Sequence, residues 1–253
     1  MTLTSSSPRK IVIGDVHGQY DGLMQLLGAI APGADDRICF VGDLIDRGPK
    51  SAHVVDFVMN SPYECLLGNH EKMLLDIFSD GHLSQAALHG WLFSGGQATL
   101  ASYQDFFGEA GIPQNHIDWI YQRPLYADWG DYWIVHAGVN PQLPLEAQTA
   151  QDFCWIREPF HAIDRPYFAD KTIVTGHTIT FTMPGVMPGN VARGEGWIDI
   201  DTGAYHPRSG WLSALDLTHQ QVYQVHVYEP KLRVRSLEEA STPIQRDHIA
   251  IAH

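Results

Sequence analysis

Three short clusters in the first third of the chain gather side chains able to bind metal and move protons. They are Gly14-Asp15-Val16-His17-Gly18, Gly42-Asp43-Leu44-Ile45-Asp46-Arg47-Gly48 and Gly68-Asn69-His70-Glu71. Asp15 and Asp43 lie 28 positions apart, and Asp43 and Asn69 lie 26 apart, each about the length of one strand-helix unit. His136-Ala137-Gly138 and Gly176-His177-Thr178 follow later in the chain. Mixed oxygen and imidazole donors of this kind suit Mn, Fe or Zn better than the all-oxygen sites of Mg or Ca. One carboxylate bridging two cations about 3.5–4 Å apart is the usual device of two-metal hydrolysis, in which the ions bind a phosphate, activate water and stabilise charge on the phosphoryl oxygens. The chemistry on offer is phosphoester cleavage with a pair of divalent metal ions.

Such a site needs strands whose carboxyl ends share one edge. The chain reads as strand, loop, helix three times over. Strands are predicted for Arg9 to Ile13, Arg37 to Val41 and Tyr63 to Leu67, and helices for Tyr20 to Ile30, Ser51 to Asn60 and His70 to Phe78. Alternation at this spacing implies βαβ units and parallel pairing. Parallel strands joined by helices put their carboxyl ends on the edge where ligands bind, so Asp15, His17, Asp43, Asn69 and His70 are expected to converge. Gly81 to Arg123 reads as helical with scattered aromatics. Strands return at Tyr132 to Val135, Lys171 to Thr175, Gly196 to Ile200, Trp211 to Asp216 and Gln221 to Val227. The first two of these run into His136 and His177, and the last alternates as a half-solvated antiparallel strand does. The expectation is a single α/β domain over 1–253, with a mixed β core at about 9–228, a short tail at 1–8 and a surface segment at 229–253.

The ordered motifs GDVHG, GDLIDRG, GNHE, HAG and GHT resemble the phosphoprotein phosphatase family of metallophosphoesterases, over roughly Lys10 to Leu217. Gly95-Gly96-Gln97-Ala98-Thr99-Leu100 and Trp155-Ile156-Arg157-Glu158 resemble segments of that family's bacterial serine/threonine phosphatases. The resemblance implies a β-sandwich of mixed sheets flanked by helices around a βαβαβ metal-binding core. By it, Asp15 and His17 hold the first of two divalent metals, Asp43 bridges, and Asn69, His136 and His177 complete the second. Mn is the expected metal, with Fe or Zn as alternatives. His70 is then the general acid, oriented by Asp46, while Arg47 and Arg157, with Asn69, hold the phosphate; a planar guanidinium fork suits that task. The implied mechanism is in-line attack by a hydroxide bridging the metals. An alkoxide leaving group needs a proton in the transition state, which an imidazole kept charged by a neighbouring carboxylate can give.

Composition narrows the partners. The net charge of −13, from 29 acids and 16 bases, argues against a general nucleic-acid binder and leaves bound cations to attract an anionic substrate. No run approaches the roughly 20 apolar residues of a membrane helix, and the first ten residues lack a signal-peptide core, so a cytoplasmic protein without a membrane partner is expected. Cys39, Cys65 and Cys154 read as buried reduced thiols. The ten histidines outside the motifs, among them His53, His82, His89, His116 and His161, read as surface or packing residues. Glu71 reads as the opening of a helix, favoured by its dipole, and Asp199 and Asp201 as supports of a turn. Trp91, Phe93, Tyr103, Phe106, Phe107, Trp119 and Tyr121 read mostly as helix packing.

The function expected from this resemblance is a protein serine/threonine phosphatase, with phosphotyrosine as a further substrate. Its partners are then phosphorylated proteins or peptides, and small aryl phosphates in vitro. The alternative is a symmetrical dinucleoside tetraphosphate hydrolase, resembling the diadenosine tetraphosphatases built on the same motifs. That activity needs a nucleoside pocket with aromatic and basic groups together, and no basic cluster is evident beside the aromatics. Those enzymes are also expected to carry Asp where this chain has Glu71, which leans toward the phosphatase. A non-catalytic scaffold is disfavoured because no motif position is missing.

Overall fold

In the computed structural model, which describes residues 8–78, 82–108 and 111–244, Ile11 and Ile13 pack on one side of the first strand and Val12 on the other, all buried. Ile38 and Phe40 repeat this against Cys39 and Val41 in the second. Alternate side chains point to opposite faces of a strand, so strands apolar on both faces belong in the middle of a layered structure. Burying each such side chain contributes roughly 1.5–3 kcal/mol.

The strands, in chain order, are β1 (Lys10–Ile13), β2 (Arg37–Phe40), β3 (Glu64–Cys65), β4 (Tyr126–Asp128), β5 (Tyr132–Val135) and β6 (Thr172–Thr175). They continue with β7 (Val191–Gly194), β8 (Trp197–Asp199), β9 (Trp211–Asp216), β10 (Gln221–His226), β11 (Leu232–Ser236) and β12 (Ser241–Pro243). The first three are parallel and joined by α1 (Tyr20–Ile30) and α2 (Ser51–Met59), which is the expected βαβαβ unit; α3 (Asn69–Asp76) follows β3. One sheet has the order β11-β10-β9-β1-β2-β3, and the other β12-β7-β8-β6-β5-β4. Within the second, β5, β6 and β8 are parallel.

The sheets face each other over Val12, Val41, Ile134, Val174, Ile198 and Leu215. Leu23, Leu26, Val54 and Leu74 of the first three helices cover the outer side of the first sheet. Phe153 and Phe160 cover the second, against Trp133, Ile173 and Trp197. This is the expected sandwich of mixed sheets flanked by helices. The predicted helical middle is present as α4 (Gln85–Trp91), α5 (Gln97–Phe107) and α6 (Gln114–Tyr121). None of the described helices is long and apolar enough to cross a membrane.

Two expectations of extent change. The third strand keeps only two residues, because Leu67 N–H leaves the ladder and donates to Pro124 O at 2.9 Å. The segment after Glu229 supplies two strands instead of only wrapping the surface. In β11 the alternation is inverted: Leu232 and Val234 face out, while Arg233 and Arg235 turn in to the Gln224 side chain and Gly189 O. An edge strand with its apolar residues outward carries no hydrophobic signal of burial. The predicted tail, save for its last residue, and the final stretch 245–253 lie outside the described residues.

Candidate active site

The loops after β1, β2, β3, β5 and β6 emerge on one edge, and their backbones are bent there. His17, Asp43, Asp46, Arg47 and His177 all have positive φ, five of the seven non-glycine residues that do so among the described residues. Such conformations cost of order 1–3 kcal/mol each and persist where the surroundings over-determine them. Two glycines permit the crowding. A Cβ on Gly176 would lie 2.0 Å from Asp15 Oδ1, and one on Gly95, at φ 121°, would lie 2.8 Å from Arg47 Cγ.

Two groups of potential ligand atoms, each within 4.8 Å of one another, meet at Asp43: His17, Asp43 and His70, then Asp43, His136 and His177. His136 Nε2 lies 3.4 Å from Asp43 Oδ1, and His17 Nε2 lies 3.5 Å from Asp43 Oδ2. Asn69 Oδ1 sits between the two histidines of the second group, 2.9 Å from His136 Nε2 and 2.8 Å from His177 Nδ1. Asp15 stands apart from both groups, with its carboxylate accepting His177 N–H at 3.1 Å. Burial pushes the Asp15 carboxyl well up, helped by the charges of Asp201 and Asp43.

The donor set fits divalent cations. His136 Nδ1 is 3.0 Å from Val41 O, and His17 Nδ1 is 2.8 Å from Ile45 O, so each ring donates through Nδ1 to a carbonyl. Burial lowers the imidazole pKa of His136, His17 and His177. The neutral ring of His136 therefore turns its Nε2 lone pair toward Asp43 Oδ1 and Asn69 Oδ1, while Nε2 of His17 accepts an N–H from Arg47. Converging lone pairs repel unless a cation lies among them.

His70 Nδ1 meets Asp46 Oδ2 at 2.6 Å, the expected pair, and its Nε2 is 3.9 Å from Asp43 Oδ2. Thr99 Oγ1 donates to Asp46 Oδ1 at 2.7 Å, and the Trp91 indole donates to the same carboxylate. The guanidinium of Arg47 lies 4.2 Å over the Tyr205 ring and reaches His17 Nε2 at 2.8 Å. Arg157 donates to Thr178 Oγ1 at 3.2 Å and to His177 O at 3.3 Å. Both arginines are exposed at the edge that carries the donor groups.

Glu71 opens α3 with a capping box, as expected, and does more. Its carboxylate accepts N–H groups from Asp43, Leu44, Ile45 and Gly68, at 2.8, 2.8, 3.2 and 3.1 Å. It fastens the second motif loop to the third. Asp201 supports its turn by accepting Gly203 N–H at 2.9 Å, and Asp199 Oδ2 faces His161 Nε2 at 3.2 Å. All three cysteines are free and buried. Sequence reading missed Tyr205, whose ring packs edge-on against His17 with centroids 4.8 Å apart. The available signal was β8, which ends beside β6 and sends the loop after Asp201 to the same edge.

Residues 8–214 match the calcineurin-like phosphoesterase family. The symmetrical bis(5'-nucleosyl)-tetraphosphatase of Dechloromonas aromatica (strain RCB) is 36% identical over 133 residues, covering 51% of this chain and 44% of that protein. The enzyme of the same name from Vibrio cholerae serotype O1 (strain M66-2) is 32% identical over 146 residues, covering 56% and 49%. The chain thus spans about half the length of these curated relatives. A crystal structure described as a candidate diadenosine tetraphosphatase superposes with a TM-score of 0.63 at 21% identity, covering 89% of this chain and 96% of that one, a likeness of fold.

These relatives overturn the expected protein serine/threonine phosphatase and its phosphoprotein and phosphopeptide partners. Glu71, which leaned toward the phosphatase, spends its oxygens on backbone N–H groups and reads no substrate. With the family match over most of the chain and the motif loops on one edge, this protein belongs to the calcineurin-like phosphoesterases, metal-dependent hydrolases of phosphoesters.

Proposed function

We propose that the chain hydrolyses dinucleoside polyphosphates symmetrically, splitting a tetraphosphate bridge at its central anhydride to release two nucleoside diphosphates. The observation that carries this reading is the identity of 36% and 32% to two symmetrical tetraphosphatases over about half of each. The site supports it with donors for two cations, a buried acid dyad and two exposed arginines at one edge.

Asp15 and His17 on one side, Asn69, His136 and His177 on the other, and Asp43 between them are the residues proposed to hold two divalent metals, Mn first among the candidates. When bound, the ions supply Lewis-acid stabilisation of charge on the reacting phosphate. Arg47 and Arg157 hold the non-reacting oxygens and fix the bridge in line. His70, tied through Nδ1 to Asp46, presents Nε2 toward the pocket as the proton donor to the departing phosphate. A nucleoside diphosphate leaves far more readily than an alkoxide, so this proton matters less for an anhydride than for a monoester.

The test is chromatography of the products from diadenosine tetraphosphate and Mn. ADP as the only early product supports the reading. AMP with ATP would mean asymmetric cleavage, and no cleavage under Mn, Fe or Zn would sink the proposal.

A further inference from the structure

The basic group that the sequence did not reveal beside an aromatic surface is present at the mouth of the site. Arg208 lies 4.8 Å over the Phe181 ring, and His206 packs edge-on against the same ring with centroids 4.9 Å apart. Tyr205 follows at 6.0 Å from His206 and carries Arg47 on its face. Arg208 and Arg47 thus flank His206 through the Phe181 and Tyr205 rings, and their charges add to burial in lowering its imidazole pKa. The surface is continuous with the catalytic edge through the Tyr205–His17 contact.

Two cations of the cluster, Arg47 and Arg208, lack a carboxylate partner among the described residues, as several other arginines do, and both are exposed. In a chain of net charge −13, Arg9, Arg37 and Lys50 each pair with a carboxylate. The loop that carries Tyr205, His206 and Arg208 is also pre-formed. His206 N–H donates to Gly203 O at 3.1 Å, Gly210 N–H to His206 O at 2.9 Å, and Ser209 Oγ to Thr202 O. Arg208 N–H donates to His206 Nδ1 at 3.1 Å, which leaves Nε2 of the neutral ring as the N–H donor. Binding to a rigid surface avoids the cost of ordering it.

We infer that Tyr205, His206 and Arg208, beside Arg47 and backed by the buried ring of Phe181, form the subsite for one nucleotide arm of the substrate, with cations on the phosphates beyond the reacting one and the half-buried rings of Tyr205 and His206 for the base. This rests on the proposed dinucleotide activity and names the residues that select it. A phosphate held only between the metal donors has no use for Arg208. A nucleoside diphosphate carries a second phosphate and a π-face, both of which this cluster accommodates.

The experiment is calorimetric titration of the Mn-loaded protein with ADP and, separately, with orthophosphate, for wild type, Arg208→Ala and Arg208→Lys. The expected result is an ADP affinity about tenfold weaker in Arg208→Ala, partly restored in Arg208→Lys, with orthophosphate affinity changed less than twofold. ADP affinity indifferent to Arg208, or falling in step with that of orthophosphate, would overturn the subsite. The two proposals separate cleanly. A wild type that makes no ADP from diadenosine tetraphosphate, yet binds ADP through Arg208, loses the substrate assignment and keeps the nucleotide subsite. One that makes ADP with Arg208-independent binding keeps the activity and loses the subsite.

Discussion

The Trp91 indole Nε1 lies 2.9 Å from Asp46 Oδ2, so the carboxylate that orients His70 is itself held from the helical middle of the chain. Asp46 and Trp91 are both buried, and removing a donor from a buried carboxylate leaves it under-satisfied. Trp91→Phe keeps most of the packing and deletes the N–H. We expect kcat on diadenosine tetraphosphate to fall about threefold to tenfold with KM little changed, while Asp46→Asn falls about 10²-fold or more. A Trp91→Phe enzyme with wild-type kcat would show that Thr99 alone suffices to hold the carboxylate.

Asp43 is the one side chain shared by both groups of donor atoms. Burial pushes its carboxyl up, but a proton on any of His136, His70, His17 and His177 around it pulls it below the ordinary carboxylate range. It is therefore ionised across the working pH range and available to two cations together. Asp43→Asn is expected to retain roughly one Mn or fewer after dialysis where wild type retains about two, and to lose at least about 10³-fold in activity. Metal analysis beside turnover checks both halves. Full metal content in the variant would remove Asp43 from the bridging role.

The parts that proved legible are those where one local rule decides the outcome. The strands β1 and β2 announced themselves by apolar runs, α1 by its periodicity, and the site by polar clusters directly after strand ends. Trp91 and Thr99 were harder, because periodicity places a residue on a helix face and says nothing of what its polar atom meets. Tyr205 lies in a loop whose importance comes from the pairing of β8 with β6, a long-range contact. Leu232 and Val234 face outward in β11, against the usual pattern. Substrate choice was least legible: the motifs belong to the catalytic centre, whereas selectivity is proposed to lie with Phe181, His206 and Arg208, none of which stands in a motif.

Glu71 provides a test of pH dependence. Burial, then the charge of Asp43, lifts its carboxyl from 4.5 to about 7, against the backbone N–H groups that favour the ionised form. A folded-state pKa above the unfolded one means stability fully present below about pH 4.5 and lost as pH rises through about 7. The span corresponds to roughly 3 kcal/mol. In chelator, the stability of wild type relative to Glu71→Gln should therefore fall by about that amount between pH 4.5 and 8. Urea unfolding at several pH values measures it. A flat difference would mean that the N–H groups overcome burial and keep Glu71 ionised throughout.

Gly95 reaches the site without carrying any chemistry. It sits at φ 121°, accepts Arg47 N–H through its carbonyl at 3.2 Å, and leaves no room for a Cβ beside Arg47 Cγ. Alanine here meets two penalties, a backbone conformation that L-residues avoid and a collision with the arginine proposed to hold the phosphate. The protein can relieve the collision only by moving Arg47 or straightening the turn, and both separate the guanidinium from the Tyr205 ring and from His17. We expect Gly95→Ala to lose roughly 1–3 kcal/mol of stability and to raise KM for diadenosine tetraphosphate several-fold, with Mn content close to wild type because the metal donors stand on other loops. Chemical unfolding, metal analysis and initial rates separate these effects. A stable variant with unchanged KM would show that the position of Arg47 is set by Tyr205 rather than by the turn at Gly95.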